Sequence, residues 1–553
     1  MSDAIRNFSS SLGEQISKVA FVLLGALTCN ASAAQSLSGP DVIQILDQGA
    51  AYAAKYGSQS VLAVVDREGF VLGVRNVGAT APAQGVIASA VSRGGTAAFL
   101  SSNENAFTSR TAGYIIQQHF PPGIRNSPPG PLVGVGFSNL FFSDVNRFKR
   151  IPAGFNGSAT VAVSPGARTP AVPFTSLDDS PGGVPLYING ELVGGVGVTG
   201  DSSPSNLSPA AFLLSSTPPT NSTAGFKVPA DTDENVALAA QSGFRPSPKI
   251  LATNVLLGGI RVPYVIGNIS KLPEPPSPLP FPAVGSVVTD PVDGFVYTPQ
   301  GSPAVYDFST LGPNSLGGVA GETRQLIQAD PRPGTIGTGA AARLTAAEVT
   351  SILTLAAQRC SIIRAGIRLP LGTRAKTFIT VVNNPNSDGV EPAILGVFRV
   401  GEATMFSWDV SAQKARTAVF FSNKTTAMST RAVGFLAQRF YPPGIDGRAW
   451  GPFFGLQEAV SLKTSPLSSP APATYPGNTN LPNGMTIFPG GLPLYRNGEL
   501  IGAIGVSGDG VDQDDMICAS GTANFLAADA IRSDTLVYRG ARLPYVKFPR
   551  NPQ

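Results

Sequence analysis

Across residues 41–56 (DVIQILDQGAAYAAKY) apolar side chains return at the spacing of one helix face. Ser38 or Asp41 stands where an N-cap is needed. Gly57 ends the pattern. VLAVVD (61–66) and FVLGVRN (70–76) are short apolar runs around Arg-Glu-Gly and predict a hairpin. A helical region is expected from about 86 to 120, stopping at Pro121-Pro122 because proline cannot continue a helix. VPLYI and ELVGGVGV flank Asn189-Gly190, a strong two-residue hairpin signal. A last helix is expected over 234–257, interrupted near Pro246 and Pro248.

The same succession then recurs. Helices are expected at 344–360, capped by Thr345, at 411–440 and at 514–533. Strands are expected at 377–383 and 393–399, and on either side of Asn497-Gly498. The residues recur too. PGGVPLYINGELVGGVGVTGD (181–201) returns as PGGLPLYRNGELIGAIGVSGD (489–509), QQHFPPGI (117–124) as QRFYPPGI (438–445), and GIRVPYV (259–265) as GARLPYV (540–546). The expectation is an α+β chain of two tandem domains, 34–266 and 344–553, each an antiparallel sheet flanked by helices. A Pro/Gly-rich linker, 267–343, joins them. Homo-oligomers remain open.

Composition adds three points. Gly (62) and Pro (49) are abundant in 553 residues, yet 42% are hydrophobic, which suits globular domains with long insertions. A net charge of +4 without a Lys/Arg block argues against nucleic acid. Arg6 and Lys18 precede an apolar run from Val19 to Leu27 and then Ala31-Ser32-Ala33. This reads as a signal peptide over 1–33, too short to span a bilayer, so a periplasmic or secreted protein without a membrane span is expected. Cleavage before Ala34 leaves Cys360 and Cys518, either as a disulfide or as two buried thiols.

Three stretches resemble the GlcG/HbpS-like haem-binding family, also seen as the C-terminal domain of PduO-type proteins. They are VLAVVDREGFVLGV, QKARTAVFF (413–421), and the PGG-x-PL, NGE and G-x-x-G-V-S/T-G elements. The resemblance implies a profilin-like fold, pairing of the two copies as an internal pseudo-dimer, and a small-molecule ligand, haem first. The expected role is sensing, storage or sequestration. An enzyme acting on haem or a small organic acid, and an assembly module with a lost site, are the alternatives.

The two copies give paired candidates. The family pattern puts Thr96 and Thr417 near the ligand, with Lys414 (Arg93 in the first copy) one turn earlier. Arg110 and Arg431 suit a bound carboxylate or propionate. Tyr187 and Tyr495 are candidate iron ligands, as is His119, the only histidine. Its counterpart is Phe440. One histidine excludes zinc sites that need two, and no metal other than haem iron is expected. The G-x-G-x-x-G at 195–200 lies inside a returning strand, so its glycines mark close packing rather than a dinucleotide.

Overall fold

The structure, a computed structural model, describes residues 35–55, 59–117, 119–122, 124–133, 149–150, 172, 175, 177–200, 232–265, 284–303, 315–370, 372–438, 440–454 and 485–547. The expected signal peptide lies outside the described residues, as do most of the insertions at 139–179 and 202–232.

Module one comprises α1 (Gly39–Lys55), β1 (Val61–Asp66), β2 (Phe70–Asn76), α2 (Gln84–Leu100), α3 (Ser109–Ile115), β3 (Lys149–Arg150), β4 (Gly183–Ile188), β5 (Glu191–Thr199), α4 (Thr232–Ala240), β6 (Leu256–Leu257) and β7 (Ile260–Arg261). The stretch expected as a linker supplies β8 (Ser286–Val287), β9 (Ser315–Leu316) and β10 (Val319–Gln325). Module two repeats the plan with α5 (Ala346–Cys360), β11 (Phe378–Asn383), β12 (Ile394–Val400), α6 (Phe406–Phe420), α7 (Thr430–Leu436), β13 (Gly491–Arg496), β14 (Glu499–Ser507), α8 (Val511–Gly521), β15 (Val537–Tyr538) and β16 (Ala541–Arg542).

One sheet runs β3-β2-β1-β5-β4, with β8 also paired to β2; the other runs β13-β14-β11-β12-β10-β9. The shared order β2-β1-β5-β4 and β12-β11-β14-β13 makes the modules topological copies. Pairing is antiparallel except for the two-residue β2–β3 contact. The central strands are buried on both faces, so they read as continuous apolar runs rather than alternating ones. Asn189 and Asn497 take positive φ (52° and 51°) ahead of Gly190 and Gly498, as the two-residue turn demands.

α1 and α4 pack on one face of sheet one, and α2 on the other. α2 buries 15 of its 17 residues and α6 buries 14 of its 15, the mark of internal helices. Their closeness to the sheet explains the strand glycines. A Cβ on Gly197 would lie 1.9 Å from the Ala90 carbonyl oxygen, and one on Gly505 would lie 2.0 Å from that of Ser411. The face of sheet two that carries α6 (Phe378, Val397, Phe406, Trp408) shares one hydrophobic cluster with module one. The opposite face forms its own cluster with α5 and α8.

The helical expectations change, and the last helices end at Ala240 and Gly521 rather than near 257 and 533. The long helical regions each break in two, α2/α3 and α6/α7. Ser101 and Ser422 bring this about, each accepting a backbone N–H from six residues on through its hydroxyl (Phe107, Met428), which holds a loop where a helix would need those groups. Cys360 and Cys518 are not joined. Both are free and buried, with Cys360 Sγ 3.0 Å from the Ala375 carbonyl and Cys518 Sγ 3.5 Å from that of Ile504. Burial pushes the Cys360 thiol up to about 12, so it behaves as a small hydrophobe. Among the described residues no helix is long and apolar enough to cross a membrane.

Candidate functional site

In each module the PGG motif wraps a buried ion pair. Lys414 Nζ on α6 lies 2.7 Å from Asp514 Oδ2 on α8 and donates to the Val506 carbonyl at 2.7 Å. Arg93 on α2 repeats this with Asp233 at 2.8 Å and the Val198 carbonyl at 2.7 Å. Gly182 and Gly490 take φ of +118° and +113° beside these pairs, and a Cβ on either would lie 2.5 Å from the Val198 or Val506 carbonyl oxygen. Burial pushes Asp514 up to about 7 and pulls Lys414 down, while their direct contact opposes both effects.

The other paired candidates are engaged in the same framework. Arg110 grips Glu234 through two bonds, at 2.6 and 3.1 Å; Arg431 bonds Asp515 at 2.5 Å and Asp512 at 2.7 Å. Thr96 accepts the Asp178 N–H at 2.8 Å and donates to the Ser92 carbonyl; Thr417 accepts the Thr486 N–H at 3.1 Å. Tyr187 donates to the Ser102 carbonyl and Tyr495 to that of Asn423, each at 2.7 Å. These bonds tie down the loop between the two helices above the sheet. Burial drives both phenols upward, away from a tyrosinate. Asp233/Asp514 and Glu234/Asp515 were not among the sequence candidates. The adjacent acids opening the last helix of each module were the signal.

Where the modules meet, a cavity of about 30 Å³ opens beside Asp514. Leu100 and Leu132 of module one close it over Arg368, Thr404, Ser407, Phe488 and Ser507 of module two. Several buried polar atoms here lack a hydrogen-bond partner among the described residues: Asp514 Oδ1, Arg368 Nε and Thr404 Oγ1 in the wall, and Asp509 Oδ1 behind it. Arg368 Nε lies 3.7 Å from that Asp509 oxygen, while its terminal nitrogens donate to the Ser101 and Glu402 carbonyls. Burial, partly offset by Arg368, pushes Asp509 up to about 6. Such a volume holds about two waters. Arg368 was invisible to repeat comparison, because its loop has no counterpart in module one.

His119 lies apart from this cavity's lining, in the PPG loop of module one. Nδ1 is 2.9 Å from the Ser127 carbonyl oxygen and Nε2 is 2.5 Å from Asp446 Oδ1 of module two. Its ring stacks on Phe440, its own counterpart in the repeat, with centroids 5.8 Å apart. Among the described residues no cluster of three or more metal-ligating side chains occurs.

Residues 389–523 match the family described as haem degrading protein HbpS-like. Among solved structures, the crystal structure of a PduOC–haem complex is 21% identical, covering 34% of this chain and 98% of that one, with a TM-score of 0.23. Protein ORFY of Klebsiella pneumoniae is 22% identical over 36% of this chain and 95% of that one, with a TM-score of 0.22. A double mutant of HbpS from Streptomyces reticuli is 16% identical over 35% and 97%, with a TM-score of 0.20. No curated protein matches the chain.

Proposed function

We propose that this chain is an exported, non-covalent ligand-binding protein whose site lies in module two, closed by module one. The observation that carries the reading is the convergence of incompletely bonded, buried polar atoms on one cavity. Burying a hydroxyl or carboxylate oxygen without a partner costs about 1–3 kcal/mol each. A ligand that satisfies several of them recovers that cost. A small polar molecule with an anionic end fits the set: Arg368 faces the anion, and Thr404, Ser407 and Ser507 offer hydroxyls.

Haem is the second reading, favoured by the family match over 389–523. The described residues do not fit it as they stand. Ligand pockets for molecules of drug size or larger hold roughly 300–1,000 Å³, against about 30 Å³ here. Both nitrogens of His119, both tyrosine hydroxyls and both threonine hydroxyls are already engaged. No axial ligand is therefore assigned.

One pair of titrations separates the readings. The chain from Ala34 onward is expected to gain thermal stability with formate, by about 2.7 kcal/mol at a hundredfold excess over Kd. Thr404→Val is expected to stabilise the ligand-free protein, because it removes an unpartnered hydroxyl, and to blunt the response to ligand. Equal responses in both proteins, or none, refute the small-ligand reading. A saturable, red-shifted Soret band on adding haemin, at one or two equivalents, would establish the haem reading instead.

A further inference from the structure

The contact between the two PPG loops joins an imidazole to groups that, in their ordinary states, only accept hydrogen bonds. His119 Nδ1 faces the Ser127 carbonyl and Nε2 faces the Asp446 carboxylate. A carbonyl oxygen has no proton to give, and neither has an ionised carboxylate. With either neutral tautomer, one ring nitrogen would point a lone pair at an oxygen lone pair. The arrangement therefore needs one proton more than a neutral imidazole plus a carboxylate.

The surroundings make this a contact between modules. The Asp446 N–H donates to Asn126 Oδ1 at 3.0 Å, and the Asn126 N–H reaches Asp446 Oδ2 at 3.3 Å. The loops also approach backbone to backbone, since a Cβ on Gly444 would lie 2.9 Å from the Ser127 carbonyl oxygen. His119 is nearly buried and stacks on Phe440, while the other charged residues of the two loops, Arg125 and Arg448, are exposed. The contact is also one-sided. At the repeat offset, His119 corresponds to Phe440 and Asp446 to Arg125, so the pseudo-symmetric counterpart cannot form the same pair.

We propose that His119 and Asp446 form a proton-dependent clamp that closes the seam between the modules. Closing the clamp takes up one proton wherever the open loop holds a neutral imidazole. Closure then weakens as pH rises, because that proton is harder to supply. The sign is fixed: acid closes, base loosens.

The test is hydrogen exchange of the full chain at pH 5.5 and pH 8.5, corrected for intrinsic rates, read on peptides covering 119–127 and 440–447. Protection in the wild type is expected to fall at least tenfold at pH 8.5. His119→Phe keeps a ring stacked on Phe440 and is expected to lose this difference. Asp446→Asn is expected to lose it while staying closed at pH 8.5, since the amide N–H can donate to Nε2 of a neutral imidazole whose Nδ1–H donates to the Ser127 carbonyl. The same pH difference in all three proteins overturns the proposal. Should the variants not fold, the wild type decides alone. Its one imidazole gives one pair of ring ¹⁵N signals, and a neutral tautomer in the protected state overturns the clamp.

Discussion

Lys414→Met is expected to cost module two about 3–5 kcal/mol, the range for removing one partner of a buried ion pair. Asp514 would keep its place, fully buried, without the ammonium 2.7 Å away. The Val506 carbonyl would lose its donor as well. The loss should depend on pH in a defined direction. Burial already holds Asp514 near 7 with the lysine present. Without the lysine the native state favours the protonated acid still more, so the unfolded chain, with its ordinary aspartate, gains on it as pH rises. The penalty is therefore smaller at pH 5 than at pH 8. Urea denaturation at both pH values measures this, and Asp514→Leu in the Lys414→Met background should recover much of the loss. A cost below about 1 kcal/mol, or no recovery in the double variant, would mean that water reaches the pair.

Gly490→Ala is expected to cost about 3 kcal/mol or more, from two separable sources. At φ +113° a side chain is strained wherever it stands, by roughly 1–3 kcal/mol. The new methyl would also lie 2.5 Å from the Val506 carbonyl oxygen and 2.8 Å from Asp514 Cβ, inside the ion-pair cage. Overpacking of that kind adds about 1–3 kcal/mol. Gly498→Ala is the internal control. Its φ is +76°, and nothing lies within 4 Å of the added Cβ, so only the backbone cost of roughly 1–2 kcal/mol remains. Equal losses at the two positions would show that the cage adapts to the methyl.

The hairpins and their order were legible because they are local. Asn-Gly sets the turn, and apolar runs set the strands. The helix breaks were not, because the serine hydroxyls at 101 and 422 that stop α2 and α6 act on residues six further on. The candidates at 93/414 and 110/431 were visible as repeated cations in apolar surroundings, and sequence alone pointed them toward a ligand. Their partners lie roughly 80 to 140 residues further along the chain, where only folding brings them back. The seam could be read only in one place. PPGIR in the first copy becomes PPGID in the second, a reversal of charge beside the sole histidine. Arg368 carried no signal at all, because comparison of repeats is blind to a loop that only one copy has.

The stretch between the modules changes sheets partway along. β8 joins β2 of the first sheet, and the β9–β10 hairpin joins β12 of the second. A backbone cut between residues 303 and 315 therefore leaves each fragment with every described strand of its own sheet. Such a pair would be a natural split reporter. Joined, the halves meet at the millimolar effective concentrations of a tethered pair. Severed, they must find each other from solution, and their reassembly constant would weigh the inter-module contact directly.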